Sequence, residues 1–230
     1  MTHLYHLPAA SLAIAALLCA AGPSEALTPT QLTLKTNGEI LIATDSLPDL
    51  QIRTEVKEVA DRQLKLTQIV EKCAPAQGDS VERVQKHLFS DGTELTHTVN
   101  AKIADSQVDV AASWVASSKA PGFSRVDLWI PEQLCDDITV EIGGQTAFPY
   151  ASESSPFVTY QGSEPVVVKR RSTGEFLFRV TGDYSSVVPA FYVQQPSAGL
   201  MLRLLTVPEE IKAGIADKTA VNWSLNFGPE

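Results

Sequence analysis

The stretch "GFSRVDLWIP" at residues 122–131 puts Arg125, Asp127 and Trp129 on one face of a β-strand and Val126, Leu128 and Ile130 on the other, because successive strand side chains point to opposite sides. The three residues on the first face suit a saccharide. A flat indole stacks on the C–H face of a sugar ring, while a carboxylate and a guanidinium accept and donate hydrogen bonds at its hydroxyls. The next run, "ITVEI", sets Thr139 and Glu141 on its own polar face, and the two faces form one surface only where the strands pair. Tyr150 and Tyr160 lie in the loop-like stretch 147–164, "FPYASESSPFVTYQGSEP", the expected rim or lid of such a carbohydrate site. The competing reading is structural: Trp129 lies beneath a neighbouring loop or strand, and Arg125 and Asp127 form an ion pair.

Other chemistry is excluded more easily than assigned. The chain contains no G-x-S-x-G elbow, H-E-x-x-H, C-x-x-C, P-loop or G-x-G-x-x-G, so no catalytic residue, metal site or cofactor is implied. Asp136-Asp137 and Glu209-Glu210 are adjacent carboxylates, which a strand would point to opposite sides, whereas a glycosidase pair must converge across a cleft. They read as solvated turn charges. Lys169-Arg170-Arg171 ends a strand before "STG" and reads as a soluble hairpin tip.

Two cysteines lie beyond residue 26, Cys73 and Cys135, and the even count predicts one disulfide in an oxidising compartment. Such a bridge would stabilise by about 4 kcal/mol. The alternative is two buried thiols. Beyond residue 26, His87 and His97 are the only histidines available as a base, and neither sits in a recognisable catalytic pattern.

The elements that must position these residues are strands. Short alternating runs recur between Gly, Pro, Asp and Ser turns, among them "EILIAT", "LQIRTEV", "QVDVAASWVA", "PVVVKRR", "EFLFRV" and "AVNWSLNF". In "SDGT" and "STGE" the glycine stands where a hairpin needs positive φ. No window carries a helical stripe, and "VPEEIKAGIADKTA" is at most a short helix or irregular loop. Alternating strands have one apolar face to hide, so the fold class is all-β, a large antiparallel two-sheet sandwich. In "QVDVAASWVA", Trp114 shares its face with Val108, Val110 and Ala112 and belongs to the core.

Residues 1–26 read as a signal peptide: an apolar run followed by Ser24-Glu25-Ala26, too short for a comfortable membrane span. Cleavage near Ala26 would leave one sandwich domain at 27–230, secreted or periplasmic. The formal net charge of −9 disfavours nucleic acid and anionic membrane as partners, and no later segment resembles a membrane span. An acidic protein should also prefer neutral or cationic saccharides to uronate polymers, unless basic residues such as Lys169 to Arg171 form a local patch.

The order "WVASSKAPGFSRVDLWIPEQLCDDITVEIGG", "STGEFLFRVTG" and "IKAGIADKTAVNWSLNFG" resembles the supersandwich, galactose-mutarotase-like β-domain that precedes the catalytic domain in many secreted bacterial glycoside hydrolases and polysaccharide lyases. The matching pieces are a Trp-ended strand, a following strand closed by a proline-bearing turn, and a last alternating strand after an "AG" turn. The resemblance implies a supersandwich-like fold and a polysaccharide context. It does not imply epimerase activity, because His87 and His97 do not map onto the mutarotase His and Glu. The expectation is a stand-alone, non-catalytic, carbohydrate-binding or accessory protein with a neutral polysaccharide or oligosaccharide partner. The alternatives are a cell-envelope structural or adhesion module without a small ligand, and a small polysaccharide lyase or glycoside hydrolase.

Overall fold

Period-two alternation, repeated along the chain, leaves each strand one face that water must not reach, and two sheets supply each other's cover. The computed structural model describes residues 27–58, 66–69, 73–117, 122–148, 157–161, 164–183, 189–194, 199–206 and 218–228. The first half contains β1 (Pro29–Leu34), β2 (Ile40–Thr44), β3 (Leu50–Glu58), β4 (Leu66–Ile69), β5 (Ala76–Gly78), β6 (Ser80–Phe89), β7 (Glu94–Ala104) and β8 (Gln107–Ala116). Then follow β9 (Gly122–Pro131), the single-turn α1 (Glu132–Cys135), β10 (Ile138–Ile142), β11 (Gln145–Phe148), β12 (Phe157–Gln161) and β13 (Val166–Arg170). The last are β14 (Phe176–Asp183), β15 (Pro189–Gln194), β16 (Gly199–Thr206) and β17 (Lys218–Asn226).

An eight-stranded sheet runs β12-β15-β16-β9-β3-β2-β1-β5, and a nine-stranded sheet runs β11-β10-β13-β14-β17-β8-β7-β6-β4. Their inward phases meet in one hydrophobic cluster. In β8, Val108, Val110, Ala112, Trp114 and Ala116 are all buried while Ala111 and Val115 are exposed. In β9, Val126, Leu128 and Ile130 are buried, and Ile138, Val140 and Ile142 of β10 face the same core from the other sheet. The "SDGT" and "STGE" turns hold Gly92 and Gly174 at φ 85° and 72°, which permits the tight reversals into β7 and β14.

Two expectations are corrected. The stretch 147–164 is not all loop: β11 ends at Phe148, and Phe157–Gln161 pairs with β15 as the sheet-edge strand β12. Its "FVTYQ" is rich in strand formers but hidden among Ser, Glu and Gly. Residues 149–156 and 162–163, including Tyr150, lie outside the described residues, as do the expected signal peptide at 1–26 and Glu209-Glu210. The predicted disulfide is also absent, for Cys73 and Cys135 are both free, buried thiols. Cys73 Sγ points to the Val84 carbonyl of β6 in the nine-stranded sheet. Cys135 Sγ points to the Pro131 carbonyl at the end of β9 in the other sheet, and burial pushes its thiol pKa up. Each sulfur is anchored by a different strand, so the even count does not translate into proximity.

Two outcomes follow. After denaturation without reductant, Cys73 and Cys135 should each take a thiol label, whereas a mass deficit of two hydrogens with no labelling at either would restore the bridge. Trp114 is 1% exposed on the core face, so Trp114→Ala should cost about 3–5 kcal/mol in urea unfolding. Trp129→Ala should cost clearly less, because Trp129 is only half-buried on the outer face; equal losses would contradict the face assignment.

Candidate functional site

β3 and β9 run side by side in the middle of the eight-stranded sheet, and their register fixes what its outer face displays. Gln51, Trp129 and Met201 form one cross-strand row, and Arg53, Asp127 and Arg203 form the next. Arg125 continues the outward phase of β9 opposite Glu55; its side chain lies outside the described residues. The inward row between them is Ile52, Leu128 and Leu202, all buried.

This register explains a tryptophan among charges. The Arg53 guanidinium carbon sits 4.0 Å above the centroid of the Trp129 ring, a cation–π contact. Arg53 is held there by the Gln51 side-chain carbonyl, which accepts from Nε at 3.1 Å and Nη2 at 2.7 Å, and by Glu39 at 3.3 Å. The indole also crosses Gly199 of β16, where an added Cβ would meet Trp129 Nε1 at 2.7 Å and the Ile130 carbonyl at 2.5 Å. The surface therefore offers an Arg–Trp stack rather than a bare ring. Asp127 is 6% exposed, and its register neighbours on both sides are arginines, Arg53 and Arg203.

A cleft of about 340 Å³ opens beside the stack, lined by Asn37, Gly38, Glu39, Arg53, Thr54, Asp127 and Met201. It arises from unequal strand lengths. β2 begins at Ile40, opposite Ile52, while β3 runs on to Glu58, so the β1–β2 turn forms a ledge beside β3. The turn is fixed by Gly38 N–H donating to the Lys35 carbonyl at 2.9 Å and Glu39 N–H donating to Asn37 Oδ1 at 3.1 Å.

The other expected site residues are not brought to this cleft. Glu141 stands on β10, in the nine-stranded sheet, where it pairs with Lys169 at 2.7 Å. The polar faces of β9 and β10 are thus outer faces of opposite sheets, and Glu141 cannot share a surface with Trp129. Tyr160 pairs with Phe191 in the register row that runs through Leu204 to Val126, one residue out of phase with the Asp127 row; its side chain lies outside the described residues. The basic run is no anion patch either. Lys169 is taken by Glu141, Arg170 by Glu175 at 3.2 Å and Asp137 at 3.7 Å, and Arg171 donates to the Asp136 carbonyl. Asp137 accepts from Ser172 N–H and Oγ–H, each at 2.8 Å, and these bonds together with Arg170 hold its carboxyl below the usual carboxylate range.

A second polar constellation lies inside the sandwich, unforeseen from the sequence. On β6 the buried phase is Val81, Arg83, Gln85, His87 and Phe89, and opposite Gln85 on β7 is His97, fully buried. Arg83 Nη1 donates to His97 Nδ1 at 3.1 Å, and Nη2 donates to Gln85 Oε1. A guanidinium only donates, so Nδ1 of His97 carries a lone pair and the proton of the neutral ring is on Nε2. The His97 ring meets the edge of Trp114 at 6.3 Å between centroids. Burial, then the Arg83 charge, hold both imidazoles deprotonated, lowering His87 to about 4 and His97 well below its ordinary value. The signal for this cluster was the parity of Val81 and Phe89 with Arg83, Gln85 and His87. The opposite phase, Glu82, Val84, Lys86 and Leu88, is equally mixed, so parity alone did not choose.

The histidines make stability depend on pH in a stated direction. A folded pKa below the unfolded value means that the unfolded chain binds more protons, so stability is intact above about 6.5 and is lost as pH falls. For His87 the loss runs down to about 4 and amounts to at most about 3 kcal/mol. Urea midpoints of the wild type should fall between pH 6.5 and 4.5, and His87→Leu should flatten that slope; an unchanged slope would place the acid sensitivity elsewhere.

No family model and no curated protein matches this chain. Among solved structures, the Slr1438 protein of Synechocystis sp. PCC 6803 is similar over 99% of this chain and 100% of its own, with a TM-score of 0.48 and 9% sequence identity. A likeness at that level carries nothing about function.

Proposed function

We propose that the chain is an exported, non-catalytic β-sandwich that binds a neutral glycan in the cleft between the β1–β2 turn and the Arg53–Trp129 stack. The observation that carries the reading is the composition of that cleft. In about 340 Å³ it combines an amide at Asn37, a carboxylate at Glu39, a guanidinium at Arg53 and the thioether of Met201, the mixture of donors, acceptors and apolar surface that a sugar ring requires. Trp129 acts as the platform that fixes Arg53, so the ligand hydrogen-bonds to an already ordered guanidinium. The resemblance to supersandwich domains of polysaccharide-active enzymes and the leader-like residues 1–26 support the extracellular context.

A hydrolytic reading has one specific observation in its favour, since Glu39 and Asp127 line the same cleft. Against it, Glu39 is already engaged by Arg53 at 3.3 Å and Lys35 at 3.8 Å, and Asp127 is almost wholly buried.

Affinity electrophoresis through gels containing neutral β-glucan, xylan or mannan, with polygalacturonate as the acidic control, tests the proposal. Retardation by at least one neutral polymer and none by the uronate is expected. Trp129→Ala and Glu39→Gln, each first shown to be folded, should weaken binding at least about tenfold, as expected when the outer-face network that orders Arg53 loses a member. Asp127→Ala would probe folding rather than binding. No retardation by any polymer would favour an envelope module without a small ligand. New reducing ends that vanish in Glu39→Gln would favour the hydrolase.

A further inference from the structure

Arg83 is a guanidinium inside the sandwich, 3% exposed, and no described carboxylate pairs with it. The cations of the described ion pairs are Lys35, Arg53, Lys86, Lys169 and Arg170. Arg83 instead donates to an imidazole nitrogen and an amide oxygen, and its Nε–H has no acceptor. Around it stand further buried groups without partners: both ring nitrogens of His87 and the indole Nε1–H of Trp114. Arg83 and His87 flank Gln85 at two-residue spacing on the inward face of β6, and Trp114 lies in Gln85's own register row, reached through His97. The Cys73 side chain also hydrogen-bonds to Arg83 and favours its charge, so the guanidinium has a thiol beside it and no described carboxylate, with unpartnered polar atoms nearby.

We propose that this interior, bounded by Arg83, His87, His97 and Trp114, is a binding site for a small organic monocarboxylate, with the carboxylate seated on Arg83 and the apolar tail against the core. The proposal is independent of the glycan reading. Charge and surroundings select the class. Both imidazoles are uncharged at neutral pH, so a monoanion matches the single Arg83 charge whereas a phosphate dianion would bury an excess charge. The neighbouring inward positions Leu95, Val99 and Ala112 are apolar and fit a hydrocarbon tail. Gly38 packs against the Nε edge of the guanidinium, since a Cβ there would sit 2.7 Å from Arg83 Nε. Gly38 also lines the outer cleft, so the β1–β2 turn stands between that cleft and Arg83.

Titration calorimetry and thermal melts of the full chain with acetate, hexanoate, hexanol and inorganic phosphate test the idea, and need no variant. Hexanoate should bind at one site per chain and raise the melting midpoint saturably, more strongly than acetate, while hexanol and phosphate should do neither. Trp114→Phe keeps the ring and deletes the N–H, and should weaken hexanoate by about fivefold or more. Arg83→Met removes a buried charge that no described carboxylate pairs with, so it should fold and fail to bind. Absence of carboxylate binding, equal binding by hexanol, tighter binding of phosphate, or undiminished binding by folded Arg83→Met would each overturn the proposal.

Discussion

Exclusion of water between the two sheets is the constraint on which the rest of this molecule depends. Every inward position of the paired strands must be filled by a side chain that tolerates that loss, and a slip of one residue in any register would exchange the core set for the solvent set. Among the described side chains of β8, β17 and β14 the inward phase is apolar, and Phe178 of β14 packs its ring 5.9 Å from that of Phe227, just beyond β17. At β6 and β7 the same constraint meets Arg83, Gln85, His87 and His97. A polar quartet in that place is expensive, and it holds together through a guanidinium donating to a neutral imidazole and an amide. Neutral imidazoles are the condition of that arrangement, which links the protonation state of the interior to the integrity of the fold.

The outer face of the eight-stranded sheet solves a different problem, how to keep charged groups in fixed positions on a flat surface. Long side chains on an exposed sheet ordinarily sweep through many rotamers, and ordering them opposes binding. Here Gln51, Glu39 and Trp129 each constrain Arg53, by two hydrogen bonds, an ion pair and a ring contact. Trp129 in turn lies across a residue without a side chain, Gly199. The chain of dependence runs from a glycine on β16 to an indole on β9 to a guanidinium on β3, three neighbouring strands that only the long-range pairing of this sheet brings together.

What the sequence disclosed was local, and what it concealed was pairing. "QVDVAASWVA" and "ITVEI" coincide with β8 and β10 to the residue, and the inward place of Trp114 followed from alternation alone. The Arg125, Asp127, Trp129 phase of β9 was equally readable. Glu141 was joined to that phase by proximity in sequence, yet β10 follows a single helical turn and crosses to the other sheet, a choice made by partners at Val166–Arg170 that no local pattern announces. The cysteines failed for the same reason. β12 was hidden by its flanks, and the interior cluster by a strand whose two phases carry similar mixtures. Arg53 was missed because its significance lies wholly in a neighbour 76 positions away in the chain.

The turn between β1 and β2 ties the two polar regions together. Glu39 at its end restrains Arg53 on the outer face, while Gly38, one residue earlier, lies against Arg83 in the interior. Its backbone is closed by Lys35 N–H donating to the Glu39 carbonyl and Gly38 N–H donating to the Lys35 carbonyl, each at 2.9 Å. A side chain at position 38 would therefore act three ways at once: it would strain a φ of 85°, collide with the Arg83 guanidinium, and tilt Glu39 away from Arg53. Gly38 cannot discriminate between the outer cleft and the interior, whereas Glu39 and Trp114, each belonging to one region only, can. The same geometry sets the ledge between a solvent-facing guanidinium stack and a buried guanidinium that no described carboxylate pairs with.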